Sequence, residues 1–242
     1  MNEQFELSAR YYDAFYSQRP YRDDVDVAAG ADCPALPAGG PRAGRGLRQP
    51  RARPALRSAL SGRRAGQQRD LPGDRSAQDR RTPRPGAYHL HSMEDFSLDA
   101  SYDAIVCLFS SIGYLPDADA LRRTMHTFSD HLAPGGVIVV EPWLSAQQLG
   151  AFQSSQLVCA DGLEIARIAR HRVDGDKLTL WLHYLAGGPD DVRYFVEEHR
   201  MSLFSNEDYR DAFEHAGLEC VFDPVGLSSR RGLYVCRQRD GA

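Results

Sequence analysis

The stretch from Tyr102 to Leu115, Tyr-Asp-Ala-Ile-Val-Cys-Leu-Phe-Ser-Ser-Ile-Gly-Tyr-Leu, constrains the fold more than any other part of the chain. Ala104 to Phe109 is a short, almost wholly apolar run, the pattern of a parallel strand buried on both faces of a sheet. Such a strand predicts an α/β fold. Ser110, Ser111 and Gly113 break the run, and Asp117 opens a helix. Ligands of open α/β sheets sit beyond the carboxyl ends of the strands, which puts Phe109 to Tyr114 on the lip of a site.

The segments that follow supply the neighbours this strand needs. Beyond Asp117, Leu121, Met125, Phe128 and Leu132 recur at helical spacing, and Pro134-Gly135-Gly136 is expected to stop that helix. Val137 to Val140 is a second buried strand, leading into Glu141-Pro142-Trp143 at the same edge as Tyr114. The longer half-alternating runs Leu163 to Arg172, Leu178 to Leu185 and Val192 to Leu203 predict an antiparallel layer. Asp174-Gly175-Asp176 is its first hairpin turn. Residues 145–200 are expected to form this layer as a cover, with 1–144 and 201–242 making the main domain. Ser205 with Asp208 opens a last helix carrying Tyr209, Ala212, Phe213 and Ala216, which Gly217 closes. Leu218 to Phe222 and Leu233 to Cys236 form an antiparallel pair, with Leu218 to Phe222 expected beside the two parallel strands. Residues 87–91 are expected to be another strand.

Near the start, Phe5, Ala9, Tyr12 and Tyr16 recur at helical spacing and predict an amphipathic helix over residues 3–17. At 242 residues and 27.0 kDa the chain is long enough for one substantial core. A net charge of −4 and a pI near 6.1 argue against a general nucleic-acid or membrane-surface binder. Five scattered cysteines lack metal-type pairing, and a reduced cytoplasmic protein is the simplest account of them. His89 and His91 alternate on the expected strand and His126 and His131 lie five apart, so no metal site is expected. No leader or membrane-spanning run is read in the sequence.

From about Ala29 to Gly86 the character changes: Arg, Pro, Gly and Ala dominate, and no aromatic residue, Ile or Val occurs. Such a segment cannot bury enough apolar area to offset its ordering entropy, so about 30–86 is expected to be disordered or non-native.

Together the run Cys107 to Leu115, Glu141-Pro142-Trp143, His183-Tyr184-Leu185, His199 to Phe204, Tyr209 to Leu218 and Arg231-Gly232-Leu233 resemble one family. It is the class I S-adenosylmethionine (SAM) methyltransferases, and within it the N-methyltransferases of TDP-linked amino sugars in antibiotic deoxysugar pathways. The resemblance implies a Rossmann-like sheet with an inserted antiparallel layer, SAM as cofactor and a nucleotide-linked deoxy-amino-sugar as substrate. It also implies a cytoplasmic enzyme, with a homodimer as an open option, and no nucleic-acid or membrane partner. Carried over residue by residue, it places Tyr21, Ser92, Met93 and Leu108 at the cofactor. Tyr12, Trp143 and Arg231 are placed at the substrate, and Tyr114 with Tyr12 at the chemistry. Tyr12-Asp13-Ala14-Phe15-Tyr16 and Tyr21 resemble that family's N-terminal lid. Ser92 stands where the family usually has Asp, and Tyr114 where it often has His. A phenol, with an unperturbed pKa near 10, is a poor base at neutral pH, so Tyr114 is expected to orient the amine and leave its proton to water or Tyr12. Arg231 suits a diphosphate by bidentate geometry and permanent charge.

The family also explains the anomalous segment. Lys177 is the only lysine, a bias that suggests a GC-rich gene. Read from the second base of the Ala43 codon, residues 43–48 permit Leu-Asp-Val-Ala-Cys-Gly, the family's SAM-binding strand and loop. In the same frame Arg69 to Gly73 permit Glu-Ile-Ser-Pro-Glu, ending on the ribose-binding acid, and Asp79 to Thr82 permit a stretch of the following helix. The segment is therefore expected to be a frame-shifted translation, with the frame restored by Tyr88, and the chain as written is expected to bind SAM weakly or not at all. Three rivals remain open. A methyltransferase of a hydroxyl or carboxyl group would share every feature above. A nicotinamide-dependent Rossmann enzyme would carry G-x-G-x-x-G, and a non-enzymatic reading makes the Arg-rich segment a nucleic-acid tail.

Overall fold

The computed structural model describes Tyr11, Asp24, Val27, residues 57–58, His89, and residues 91–149, 154–160 and 162–239. Tyr12, Tyr21 and the remainder of 30–86 lie outside the described residues, and with them the expected lid and glycine loop.

The first sheet is built on β2 (Tyr102–Cys107), which lies parallel to both β1 (Arg57–Ser58) and β3 (Leu132–Val140). β3 then pairs antiparallel with β9 (Leu233–Gln238), and β9 with β8 (Leu218–Asp223). Ile105, Cys107, Ile138, Val140 and Cys236 enter one core on the helical side. Val106, Val139, Leu227 and Leu233 form a second core on the opposite face, as a strand apolar at successive positions requires.

Helix α1 (Ala118–Asp130) starts where Asp117 accepts a hydrogen bond from Ala120 N at 2.8 Å. It buries Leu121, Met125 and Phe128 against the sheet. Helix α3 (Asn206–His215) starts with a full capping box between Ser205 and Asp208 and adds Tyr209, Ala212 and Phe213 to the same core. Truncating a side chain such as Phe128 there would cost about 3–5 kcal/mol. Behind the site, burial pushes the Cys107 thiol up to about 12.

The second sheet has the order β4 (Ser155–Ala160), β5 (Leu163–Asp174), β6 (Lys177–Gly187) and β7 (Val192–Ser202), all antiparallel. Asp174 pairs with Lys177 across the tight turn, where Gly175 takes φ 59°. A short helix, α2 (Ala146–Leu149), bridges the sheets in sequence. They are tied directly at the end of β2. Ser202 Oγ donates to Leu115 O at 2.7 Å and Lys177 Nζ donates to Pro116 O at 2.7 Å. Gly113 lies so close to β7 that a Cβ there would meet Met201 Cε at 2.8 Å.

Several expectations need correcting. β2 ends at Cys107, because Phe109 and Ser110 turn to φ 56° and 58° and cannot continue a strand. α1 ends at Asp130, so Leu132 and Pro134-Gly135-Gly136 belong to β3. There the missing N–H of Pro134 and the left-handed Gly135 (φ 77°) break the ladder, whose register jumps from Tyr102–Leu132 to Ala104–Val137. His89 and His91 are not in a strand; their rings stack 6.3 Å apart. Arg57–Ser58, expected to lack structure, make a two-residue strand beside Ile105 and Val106.

β9 stands between β3 and β8, so Leu218 to Phe222 are not direct neighbours of β3. The inner place goes to the strand that buries Leu233, Tyr234 and Cys236, whereas only Leu218 of β8 is buried. The antiparallel layer runs from Ser155 to Ser202 and has a fourth strand, β4, so Met201 and Ser202 belong to it. The β8–β9 register sets Cys220 opposite Cys236, and the two are joined as a disulfide rather than standing as separate thiols.

Candidate active site

The carboxyl end of β2 is where the chain departs from relaxed backbone. Among the described residues the non-glycine positions with positive φ are Phe109, Ser110 and Arg230, at 56°, 58° and 54°. Each such residue stores about 1–3 kcal/mol and persists only when its surroundings hold it. Glu141, fully buried at the end of β3, does the holding. Its Oε2 accepts from Phe109 N at 2.6 Å, its Oε1 accepts from the Ser229 hydroxyl, and its own N–H donates to Cys107 O at 2.9 Å. The turn that follows, Ser111–Tyr114, is a 3-10 helix.

The loop between β8 and β9 brings a cation to this turn. Arg231 donates from Nη1 to Ser110 Oγ at 2.9 Å, and its guanidinium carbon sits 4.2 Å from the centre of the Trp143 ring. Ser110 in turn donates to Pro142 O at 2.7 Å. The loop closes backbone against backbone: Gly226, at φ 65°, lies where a Cβ would come 2.5 Å from the carbonyl carbon of Gly232. Only glycine fits that approach. Asp24 holds the loop's other side, accepting from Ser228 N at 2.8 Å and Ser228 Oγ at 2.9 Å.

Tyr114 ends the turn half-buried among Trp143, Leu180 and Met201. Its hydroxyl and His199 Nδ1 share a hydrogen bond of 2.7 Å. His199 Nε2 lies 3.6 Å from Glu197 Oε2, and the two side chains are 11% and 3% exposed. Both face inward because β7 alternates. Phe195, Glu197, His199 and Met201 share the inner face, while Glu198 and Arg200 face out and pair with each other. Two positions from Glu197, Phe195 stacks on Tyr184 at 4.7 Å and on Tyr11 at 5.9 Å.

Of the residues singled out from sequence, Tyr114, Trp143 and Arg231 therefore come together at one end of β2. Leu108 is half-buried beside Val106 and Val139. Ser92 is exposed and accepts from Glu94 N at 3.3 Å. Met93 is fully buried in the main core with Phe96. The histidines also gain places: His131 accepts at Nε2 from Leu98 N at 3.0 Å and bonds Thr127 O through Nδ1 at 2.7 Å.

Ser110, Glu141, Glu197, His199 and Tyr11 take roles here that no motif in the sequence marks. The one legible signal was the Glu-x-His alternation on β7, which puts an acid and an imidazole on one face.

A family model described as "Methyltransferase domain" matches residues 42–222. The chain is 36% identical over 168 residues to the dTDP-3-amino-3,6-dideoxy-alpha-D-glucopyranose N,N-dimethyltransferase of Streptomyces fradiae, covering 69% of this chain and 66% of that protein. It is similar to the crystal structure of Streptomyces venezuelae DesVI, with a TM-score of 0.60 at 35% identity, covering 62% of this chain and 64% of that one. It is also similar to SAM-bound CalS10, an amino pentose methyltransferase from Micromonospora echinaspora involved in calicheamicin biosynthesis. There the TM-score is 0.58 at 31% identity, over 62% of this chain and 63% of that one. The chain thus spans slightly less than two thirds of the length of these relatives.

Proposed function

The chain belongs to the methyltransferase domain family, and from that premise we propose that it is a SAM-dependent N-methyltransferase of a TDP-linked deoxy-amino-sugar. The observation that carries the reading is Arg231, a permanent cation stacked on Trp143 and bonded to Ser110, with Trp143 packed against the same apolar cluster as Tyr114. A guanidinium there meets a diphosphate through two N–H groups, and the indole face supports a sugar ring. The names of the relatives, which act on dTDP-amino-sugars, support the same substrate class.

The described residues fit the apolar side of a SAM site. Phe109, 38% exposed at the carboxyl end of β2, and half-buried Leu108 would wall the cofactor. When bound, SAM supplies a methyl group on a sulfonium: the N–C bond forms as the C–S bond breaks, and the electron pair stays on sulfur. The protein's share is alignment, an unprotonated amine and exclusion of water. In this reading Tyr114 holds the amine. The second sheet, with Tyr11 against its inner face, would cover the sugar.

The reading includes a homodimer, supported by exposed Leu157, Ile168, Leu185 and Tyr194 on the outer face of the second sheet, and light scattering reads its mass. It also includes a cytoplasmic location; the Cys220–Cys236 disulfide points the other way, and titration of free thiols in the isolated protein decides between them. No described helix is long and apolar enough to cross a membrane. The test offers methyl-labelled SAM with dTDP-amino-sugars and with matched hydroxyl and carboxyl compounds, using the chain as it stands and a frame-restored form. Label transferred to nitrogen in the restored form is the expected result. Label on oxygen or carboxylate alone would overturn the amine assignment.

A further inference from the structure

Glu197 poses a problem that the substrate reading leaves untouched. It is a carboxylate 97% removed from water on the inner face of β7, where an ionised group needs a compensating partner. One of its oxygens, Oε1, has no hydrogen-bond partner among the described residues, and the other lies 3.6 Å from His199 Nε2. The opposite edge of that imidazole is 2.7 Å from the Tyr114 hydroxyl. Carboxylate, imidazole and phenol thus follow one another from the covering sheet to the lip of β2. Tyr114 packs against the same apolar cluster as Trp143, whose ring carries Arg231.

We propose that Tyr114, His199 and Glu197 form a proton relay that takes the proton from the substrate ammonium at the Tyr114 hydroxyl. The inference rests on the amine-substrate reading and deepens it. At rest, His199 carries its proton on Nε2, facing Glu197, and its bare Nδ1 accepts from the phenol. As the ammonium proton arrives on the Tyr114 oxygen, the phenol's own proton passes to Nδ1. Tyr114 ends as it began, and the amine gains a lone pair. His199 becomes an imidazolium whose charge Glu197 balances, and it returns the proton to solvent when product leaves. A lone phenol is a poor base, but one that loses a proton as it gains another never has to exist as a phenolate. The histidine expected from the family at position 114 is absent here, and the relay sets an imidazole one residue behind it. His199 and Glu197 act through Tyr114 and are positioning residues.

The first measurement needs no turnover. In protein labelled with nitrogen-15 at histidine, the His199 signals should report the neutral tautomer protonated at Nε2. Glu197→Gln and Tyr114→Phe should each shift that tautomer balance. His199 protonated at Nδ1, or unmoved by both substitutions, would overturn the relay whatever the substrate proves to be. The second measurement uses the frame-restored protein with a dTDP-amino-sugar. Tyr114→Phe and His199→Phe should each lower kcat about 10²-fold with KM within about threefold, and the double variant should fall little further. Glu197→Asp should recover part of what Glu197→Gln loses. Additive losses, or a loss in KM alone, would overturn the relay. Failure of the wild-type frame-restored protein to methylate any amine overturns the substrate reading, and the tautomer measurement then decides the relay alone.

Discussion

The guanidinium of Arg231 lies 4.2 Å above the ring of Trp143, so the end of β3 and the loop before β9 meet through a cation on an aromatic face. The same Arg231 donates to Ser110, one of the left-handed residues after β2. One side chain thus joins three separate parts of the chain at the site.

Replacing it tests the diphosphate assignment. Arg231→Ala should raise KM about tenfold to a hundredfold and change kcat far less. A charged hydrogen bond is worth about 1.5–3 kcal/mol, and a contact remote from the reacting atoms acts alike on ground and transition states. Steady-state kinetics on the frame-restored protein checks this. A fall in kcat at constant KM would move Arg231 to the chemistry.

Glu141 is expected to matter for stability before it matters for turnover. Glu141→Ala strips the acceptor from Phe109 N and from the Ser229 hydroxyl and releases two left-handed residues. Urea unfolding should show a loss of about 2–4 kcal/mol. Glu141→Gln keeps one carbonyl oxygen for Phe109 N and should lose less. Equal stability of all three proteins would remove the holding role.

Alkaline pH should destabilise the protein through its core. Burial raises the Cys107 thiol from 9.0 to about 12 and the Tyr234 phenol from 10.0 to about 12, so the unfolded chain gives up these protons first. Stability from these groups is whole below about pH 9 and drains away as pH climbs toward 12. For Cys107 the full loss is roughly 4 kcal/mol. Urea midpoints measured from pH 7 to 11 should fall, and Cys107→Ala should delay the fall by about one pH unit. An identical curve for the variant would show that this thiol carries no part of it.

Calorimetry addresses the anomalous segment. If residues 43–48 and 69–73 carry the glycine loop and the ribose-binding acid in the shifted frame alone, the chain as written should bind SAM weakly or not at all. Restoring the frame should recover binding. Equal affinity in both forms would refute the shift.

The alternation of apolar residues makes most of the architecture legible in the sequence. Burial period is local: it marks β2, the buried face of α1, the β5–β6 hairpin and the caps at Asp117 and Ser205 from neighbouring residues alone. Strand pattern put Tyr114 and Trp143 at one sheet edge, but their roles, and Arg231 altogether, were legible only through family resemblance. What local pattern cannot carry is partnership across distance. β8 and β9 alternate alike, and only the packing of Leu233, Tyr234 and Cys236 against both faces puts β9 inside. Cys220 faces Cys236 because of that register, not because of their spacing. Glu141 is 32 residues from Phe109 and His199 is 85 from Tyr114. The left-handed turn and the relay exist only once two sheets close on the carboxyl end of β2. Hydrophobic period chooses which side chains leave water; tertiary closure chooses which polar groups they carry into contact.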